Sequence, residues 1–322
     1  MTNLPDEPKI VVIGGGTGLS VLLKGLKRYS SQLTAVVTVS DDGGSSGRLR
    51  AELGVLPPGD IRNCLVALAE TETIMDEVFQ HRFCQGSSLQ GHNLGNLLLV
   101  ALTEITGDFV SAIKEVSKVL AVRGKVIPAT LEHVMLGAIM KDGVLLNGET
   151  CIRSYSAGIE QLFLVPDQCM PVPETLNSIM EADAIVLGPG SLYTSIIPNL
   201  LVKGIGKALA DSTAKKIYVS NIMTEQGETD KFTASDHLQV IMKYVEQPII
   251  DYIVVNNGNI DENRLKRYQS EEAVPVIINP QHIAQMGITM IEEDLVSDSP
   301  LAWHDSDKLA RVILKIINHE CL

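Results

Sequence analysis

The chain has 322 residues, of which 45 % are hydrophobic and 20 % charged, a balance that excludes a largely disordered protein. Its net charge of −13 repels a phosphate backbone and its aromatic content is only 4 %, so general DNA or RNA binding is excluded. We predict one wide domain over residues 1–322.

The N-terminus and the cysteines predict a cytoplasmic protein. Residues 1–9 are polar and contain two prolines, so we expect no signal peptide. The five cysteines are widely spaced and form no C-x-x-C pair, so we expect reduced thiols and no zinc site. The most apolar run, residues 94–105, contains Asn96 and Glu104 and is too short to cross a bilayer, so no membrane insertion is expected.

The first 120 residues alternate between short β-branched runs and longer helical ones. Leucines at helical spacing follow the first run, and a polar, glycine-rich stretch at 40–60 follows the second, with Pro57-Pro58-Gly59 as a turn signal. The predicted strands are 9–13 and 33–39, and the predicted later helices are 61–70, 74–83, 94–105 and 109–120.

Residues 126–150 have a different pattern, in which Lys141-Asp142-Gly143 separates two apolar runs. We predict a β-hairpin insertion there, outside the main sheet. Strand–helix alternation then resumes, which predicts an α/β fold: a Rossmann-like three-layer αβα domain with a mostly parallel sheet and a small antiparallel insertion. The predicted strands are 184–187, 217–220, 252–255 and 275–278, and the helices are 174–181, 193–210, 234–246, 261–268 and 305–318.

The first strand ends in residues 14–18 (GGGTG), which open a helix. Glycine lets the backbone approach a ligand closely, and the N-terminus of a helix favours an anion. The dinucleotide fingerprint G-x-G-x-x-G is not met, because Leu19 takes its sixth position. A tight turn needed only for packing is the alternative interpretation. The candidate phosphate-binding residues are Gly15, Gly16, Thr17 and Gly18.

The second strand is followed by two adjacent carboxylates, Asp41 and Asp42, and then by a run of small residues. A carboxylate at this position can accept hydrogen bonds from a sugar diol or hold Mg²⁺, and we favour Asp42. The nearby arginines Arg48 and Arg62 are candidates for binding a diphosphate. Alternatively, Asp41 caps a turn and the arginines pair with surface carboxylates.

Further small and polar residues stand at predicted helix starts. Asp60 is a candidate second carboxylate for a metal or a sugar, although helix capping also explains it. His92 suits a phosphate or acid–base role, and a structural histidine is the alternative. Asn63 and Asn96 complete this group of ligand-binding candidates.

The loop after the strand at 184–187 again combines glycine with hydroxyl groups at a helix start, so its N–H groups can face an anion. The loops at 14–18 and 187–195 could therefore hold opposite ends of one ligand. Asn221 follows the next strand and is placed to contact a polar ligand. The candidates in this half of the chain are Gly188, Pro189, Gly190, Ser191, Thr194 and Asn221.

Six segments together resemble the YvcK-type gluconeogenesis factors, which share a superfamily with the 2-phospho-L-lactate transferases (CofD-like proteins). The segments are 13–19 (IGGGTGL), 39–48 (VSDDGGSSGR), 56–63 (LPPGDIRN), 91–96 (GHNLGN), 187–195 (LGPGSLYTS) and 226–230 (QGETD). The resemblance implies a cytosolic bacterial protein that binds a UDP-sugar, of the UDP-N-acetylglucosamine type, and that supports growth on gluconeogenic carbon and cell shape. The transferases lack the run at 43–47, and their deazaflavin-binding features have no evident match here.

Three functions therefore stay open. The first is a nucleotide-sugar-binding regulator without turnover, with a cell-wall synthesis or signalling protein as partner and a homodimer as a further expectation. The second is a phosphotransferase similar to 2-phospho-L-lactate transferase, in which Asp42 and Asp60 hold Mg²⁺ together with a nucleotide diphosphate. The third is an NAD(P)-dependent dehydrogenase. We favour the first, because no nucleophile–base pair is evident.

Overall fold

The computed structural model describes residues 7–70, 74–86 and 88–318, and only the backbone of Ser270. These ranges form ten strands. In chain order they are β1 (Ile10–Gly14), β2 (Leu33–Val37), β3 (Lys125–Pro128), β4 (Met135–Met140), β5 (Leu145–Asn147), β6 (Ile159–Val165), β7 (Ala184–Leu187), β8 (Lys215–Val219), β9 (Tyr252–Asn256) and β10 (Thr289–Glu293).

The helices connect and cover these strands. The first seven α-helices are α1 (Gly16–Leu26), α2 (Gly44–Leu53), α3 (Gly59–Leu68), α4 (Ile74–Gln80), α5 (Leu94–Thr106), α6 (Phe109–Val119) and α7 (Glu149–Arg153). The others are α8 (Pro173–Met180), α9 (Ile197–Leu201), α10 (Ile205–Asp211), α11 (Ala234–Val245), α12 (Glu262–Tyr268), α13 (Pro280–Gln285) and α14 (Ser306–Ile317). A π-helical turn (Leu192–Ile196) precedes α9, and a 3₁₀ turn (Gln269–Glu271) follows α12.

Seven parallel strands make the main sheet, in the order β10-β9-β8-β7-β1-β2-β3. The central strands β1 and β7 are fully buried, as expected of apolar runs in a sheet that helices cover on both faces. The smaller sheet has the order β5-β4-β6 and is antiparallel. The prediction of an α/β, Rossmann-like fold with a mostly parallel sheet and a small antiparallel part is confirmed.

Helix α1 packs closely against its neighbours α3 and α14. Its leucines are buried, and they are the leucines at helical spacing from which the sequence predicted this helix. Gly25 makes the contact with α14 possible, because a Cβ atom there would overlap the backbone carbonyl of Ser306. Backbone approach of this kind tolerates only glycine.

The predicted insertion at 126–150 needs correction at both ends. Residues 125–128 are strand β3, which pairs in parallel with β2 and so belongs to the main sheet. The hairpin turn between β4 and β5 is present, but the small sheet also contains β6, which pairs with β4. The prediction failed because a four-residue edge strand lies shortly before the hairpin and shares its apolar character.

Two helical predictions also change. The polar stretch at 40–60 contains α2, whose only buried side chains are Ser45, Ser46 and Leu49, so its apolar periodicity is too weak to detect. The predicted helix at 193–210 is divided into the π-helical turn, α9 and α10. The last break falls at Gly204, where φ is +85°.

The predicted strand at 275–278 is absent from the described structure, since this segment makes only isolated bridges, Met223–Pro275 and Thr233–Ile277. The seventh strand of the main sheet is instead β10. Its ends, Thr289 and Glu293, are exposed, because β10 is an edge strand, and it therefore shows no continuous apolar run.

Four cysteines fall within the described ranges and all are free thiols: Cys64, Cys84, Cys151 and Cys169. Cys321 lies outside the described residues. In those ranges no single helix is both long and apolar enough to span a membrane. The bent pair α5 and α6 reaches the necessary length and composition only when its two helices are taken together.

Candidate functional site

A cleft of about 890 Å³ opens where β1 and β7 lie side by side. Strands β2 and β3 follow β1 on one side of this point, and strands β8, β9 and β10 follow β7 on the other side. The strand order therefore reverses between β1 and β7, which makes this the topological switch point of the sheet. Ligands of open α/β sheets bind at that place, beyond the carboxyl ends of the strands. Of the residues predicted from sequence, those that line the cleft are Gly15, Gly16, Thr17, Gly18, Asp60, Pro189, Gly190, Ser191, Thr194 and Asn221.

The loops that follow β1 and β7 touch each other at the floor of the cleft. A Cβ atom on Gly18 would lie 2.5 Å from the carbonyl oxygen of Pro189, and one on Gly190 would lie 3.2 Å from the carbonyl oxygen of Gly15. Gly188 does not line the cleft, and it packs against the carbonyl of Val219. The two glycine loops predicted from sequence therefore meet.

Carboxyl groups already occupy several hydrogen-bond donors of these loops and of Asn221 after β8. Asp60 accepts a hydrogen bond from the backbone N–H of Gly16. Glu228 accepts one from the Thr194 hydroxyl at 3.1 Å. Glu225 accepts one from the Asn221 side-chain amide at 3.1 Å, and another from the Ser191 hydroxyl. An anion that binds here must therefore compete with carboxylates unless these are protonated.

Burial favours the protonated form of these groups. It raises the pKa of Asp60 to about 6, an effect that the nearby Asp41 reinforces. Burial, with Glu225 as a neighbour, raises the pKa of Glu228 to about 8. For Glu149, burial and the charge of Asp41 raise the pKa to about 9. Near neutral pH the protonated form is therefore favoured for Glu149, which lines the cleft, and for Glu228, the neighbour of Arg153.

The carboxylate after β2 that faces the cleft is Asp41, which corrects the preference for Asp42. Asp41 also caps its own turn, since its Oδ1 accepts a hydrogen bond from the N–H of Gly43 at 2.8 Å. Asp42 does not line the cleft. Its Oδ1 accepts hydrogen bonds from the N–H and the hydroxyl of Thr150, at 3.0 and 2.7 Å. Asp42 thus attaches α7, a wall of the cleft, to the main domain.

Arg153 on α7 is, within the described part of the chain, the single lysine or arginine that lines the cleft. Its Nε lies 3.4 Å from Oε1 of Glu228, and its Nη1 lies 3.9 Å from Oε1 of Glu149. The Arg153 side chain is 53 % exposed, whereas that of Glu228 is 1 % exposed. The guanidinium therefore stands at the cleft surface above a buried carboxylate.

The predicted arginines point elsewhere. Arg48 donates through Nη1 to the carbonyl of Gln90 at 2.7 Å and through Nη2 to that of Ser88 at 3.1 Å. Close by, Nδ1 of His92 lies 3.2 Å from the Ser45 hydroxyl in a buried contact. Neither Arg48 nor His92 lines the cleft. For His92 this supports the structural interpretation.

Arg62, Asn63 and Asn96 form a separate polar group. Arg62 donates to Oδ1 of Asn96 at 2.8 Å and to Oδ1 of Asn63 at 2.5 Å. All three lie outside the cleft lining. Asp60 lies in α3 with Arg62 and Asn63, but its side chain accepts a hydrogen bond from Gly16 in the first glycine loop instead of capping its own helix. The helix thus turns Arg62 away from the side that Asp60 faces.

The end of the cleft beyond β8 is partly apolar and aromatic, with Glu271 and His304 as polar members. Ile222, Met223, Tyr268, Ala302 and Trp303 line it, and Trp303 is 47 % exposed. The sequence analysis did not select these residues, nor Glu149 and Arg153. The available signal was a lone tryptophan in a polar C-terminal segment, since tryptophan is enriched at interfaces.

Comparison with known proteins assigns the chain to a family. The family model described as 2-phospho-L-lactate transferase CofD matches residues 10–296. The Gluconeogenesis factor of Bacillus subtilis is 48 % identical over 313 residues, which cover 97 % of this chain and 99 % of that protein. The Gluconeogenesis factor of Halalkalibacterium halodurans is 50 % identical over 310 residues, covering 96 % of each chain.

This chain belongs to the gluconeogenesis-factor branch of the CofD family. A crystal structure of a Bacillus halodurans protein agrees, with a TM-score of 0.93 and 49 % identity over 96 % of this chain and all of that one. The resemblance seen in the sequence is thereby confirmed. The CofD match includes both glycine loops but ends before Trp303, so the aromatic end of the cleft lies partly outside the CofD pattern.

Proposed function

We propose that this member of the CofD family is a cytoplasmic regulatory protein that binds a nucleotide sugar of the UDP-N-acetylglucosamine type in the cleft. Through this ligand it supports growth on gluconeogenic carbon and cell shape. The observation that carries the proposal is the meeting of the two glycine loops at the floor of one cleft at the switch point. The names of the relatives support the gluconeogenic role.

The lining changes in chemistry along the strand order of the sheet, from the segment after β8, through the glycine loops after β7 and β1, to Asp41 after β2, which is the order of base, diphosphate and sugar in a nucleotide sugar. The aromatic end at Tyr268 and Trp303 suits the flat face of a base. The glycine loops in the middle suit a diphosphate. The end at Asp41 and Glu149 offers carboxyl oxygens to sugar hydroxyls. A volume of about 890 Å³ is within the range that small-molecule sites occupy.

Titration with UDP-N-acetylglucosamine tests this proposal. We expect saturable heat in a calorimeter, and at a ligand concentration 100 times Kd a stabilisation of about 2.7 kcal/mol that raises the melting temperature. GDP-mannose is the matched control, because it keeps the diphosphate and changes both the base and the sugar. The absence of any heat at millimolar UDP-N-acetylglucosamine would contradict the proposal.

We expect the affinity for this ligand to decrease as pH rises from 6.5 to 8.5. Asp60, Glu228 and Glu149, whose pKa values are about 6, 8 and 9, lose protons progressively over and around this interval, while a diphosphate diester keeps its charge. Each newly ionised carboxylate then repels the ligand. We expect the affinity to decrease by about tenfold, which corresponds to a shift of one unit in the pKa of a carboxyl group on ligand binding. Calorimetry at both pH values measures it. Uridine, which carries no phosphate, is the control and should change little.

A second candidate function is a Mg²⁺-dependent phosphotransferase, because the matched family model is that of a transferase. Asp41 and Asp60 both face the cleft, and the charge of Asp41 helps to raise the pKa of Asp60, so the two carboxyl groups are near enough to share a Mg²⁺ ion with ligand phosphates. Asp42, engaged with Thr150, does not fit this role. In the described ranges no cluster of three metal-ligating side chains is present, so phosphate oxygens would have to complete the site. If Mg²⁺ leaves nucleotide affinity unchanged and no phosphoryl product forms, this candidate is removed.

A further inference from the structure

Resting on the proposed function, we propose that Arg153 is the residue that binds the diphosphate of the ligand and so selects for phosphorylated ligands. The sequence analysis selected Arg48 and Arg62 for this task. The structure shows both of them bonded to oxygen atoms outside the cleft. Arg153 is the cleft-lining cation of the described residues, and it comes from the small antiparallel part of the fold.

The position of Arg153 connects it with the second glycine loop. Its Nε lies 3.4 Å from Oε1 of Glu228, and the same oxygen accepts the hydroxyl hydrogen bond of Thr194 at 3.1 Å. Thr194 lies in the π-helical turn that follows Gly190. One carboxylate therefore holds the guanidinium beside the loop where the diphosphate would lie.

The guanidinium of Arg153 retains most of its capacity for hydrogen bonds. Its two carboxylate neighbours lie at 3.4 and 3.9 Å, which is longer than a charge-assisted hydrogen bond. An arginine carries five N–H donors in a planar fork, a geometry that matches two phosphate oxygens. With its side chain 53 % exposed, the fork can reach a ligand without unfolding its surroundings.

Arg153 supplies a positive charge that the other described residues of this acid-rich lining lack. Asp41, Asp60, Glu149 and Glu225 all line the cleft. Without Arg153, the described residues that line the cleft would offer a diphosphate only uncharged hydrogen-bond donors. Before the ligand arrives, Arg153 lies 3.4 Å from Glu228 and 3.9 Å from Glu149, and we infer that it exchanges these loose partners for the diphosphate on binding.

The test compares the wild-type chain with Arg153→Gln and Arg153→Lys by calorimetry at low salt. The ligands are UDP-N-acetylglucosamine, inorganic pyrophosphate and uridine. We expect Arg153→Gln to weaken binding of the first two about 10- to 100-fold, as the loss of charged hydrogen bonds implies, and to leave uridine binding unchanged. Arg153→Lys should restore part of the affinity, because it keeps the charge and loses the fork. Lys207→Gln, which removes a charge from an exposed position outside the cleft, is the matched control.

Each result has a separate meaning. Equal binding of pyrophosphate by the wild type and by a folded Arg153→Gln variant would overturn the role of Arg153, as would an equal loss of uridine binding. If UDP-N-acetylglucosamine fails to bind the wild type while pyrophosphate binds and depends on Arg153, the nucleotide-sugar proposal fails and the role of Arg153 stands. If the wild type binds neither, both fail.

Discussion

Replacing Gly18 with alanine is expected to abolish nucleotide-sugar binding in a chain that still folds. The new Cβ atom would lie 2.5 Å from the carbonyl oxygen of Pro189 and 3.1 Å from the backbone nitrogen of Gly190. Both neighbours are backbone, so the two glycine loops must move apart. Loss of two or more hydrogen bonds to a charged diphosphate then lowers the affinity about 100-fold or more. Calorimetric titration with UDP-N-acetylglucosamine measures the effect.

Gly14→Ala is the matched control for this change. It adds the same methyl group four residues earlier, at the end of β1, where the nearest atoms are side-chain carbons of Leu19 at 3.7 and 3.9 Å. Such distances are ordinary van der Waals contacts, so we expect wild-type affinity. Comparable binding by Gly18→Ala and Gly14→Ala would show that contact between the two loops does not form the ligand site.

Replacing Gly25 with alanine should produce a large loss of stability. Its Cβ atom would overlap the carbonyl of Ser306 and approach the side chain of Ala310, so α1 and α14 must separate. Forcing a methyl group into such a contact costs about 1–3 kcal/mol, and here we expect the upper part of that range because the obstacle is backbone. The gain in helix propensity, about 1 kcal/mol, offsets only part of this cost. Urea unfolding followed by circular dichroism measures the change.

Gly206→Ala separates packing from propensity. Gly206 also lies in a helix, α10, but the atom nearest to its added Cβ would be a methyl carbon of Val245 at 3.6 Å. The propensity gain is then unopposed, and we expect the free energy of unfolding to rise by up to about 1 kcal/mol. If Gly25→Ala and Gly206→Ala change the free energy of unfolding in the same direction and by the same amount, Gly25 is not needed for the close contact between α1 and α14.

The fold was predictable where burial leaves a local pattern. Strands β1 and β7 are continuous apolar runs with glycine after them, because both faces of a parallel sheet are covered. Strand β10 was missed for the opposite reason, since an exposed edge strand needs no apolar run. Helix α2 was missed because it buries two serines and one leucine, which give no helical periodicity.

The candidate site was predictable in its glycine loops and not in its charged residues. Loops that follow parallel strands must meet at one edge of the sheet, so their sequence position places them. The direction of a side chain within a turn or helix is not fixed in this way. Asp41 faces the cleft while Asp42 binds Thr150. Arg153 and Trp303 reach the cleft from distant parts of the chain, a tertiary effect that no local spacing records.

A crystal structure of the protein with UDP-N-acetylglucosamine tests the central claim most directly. We predict density for one ligand in the cleft at the β1–β7 switch point, with its diphosphate between the glycine loops at Gly16 and Gly190 and its base beside Trp303. Ligand density on another surface of a saturated crystal, with the cleft between these loops free of it, would contradict the account.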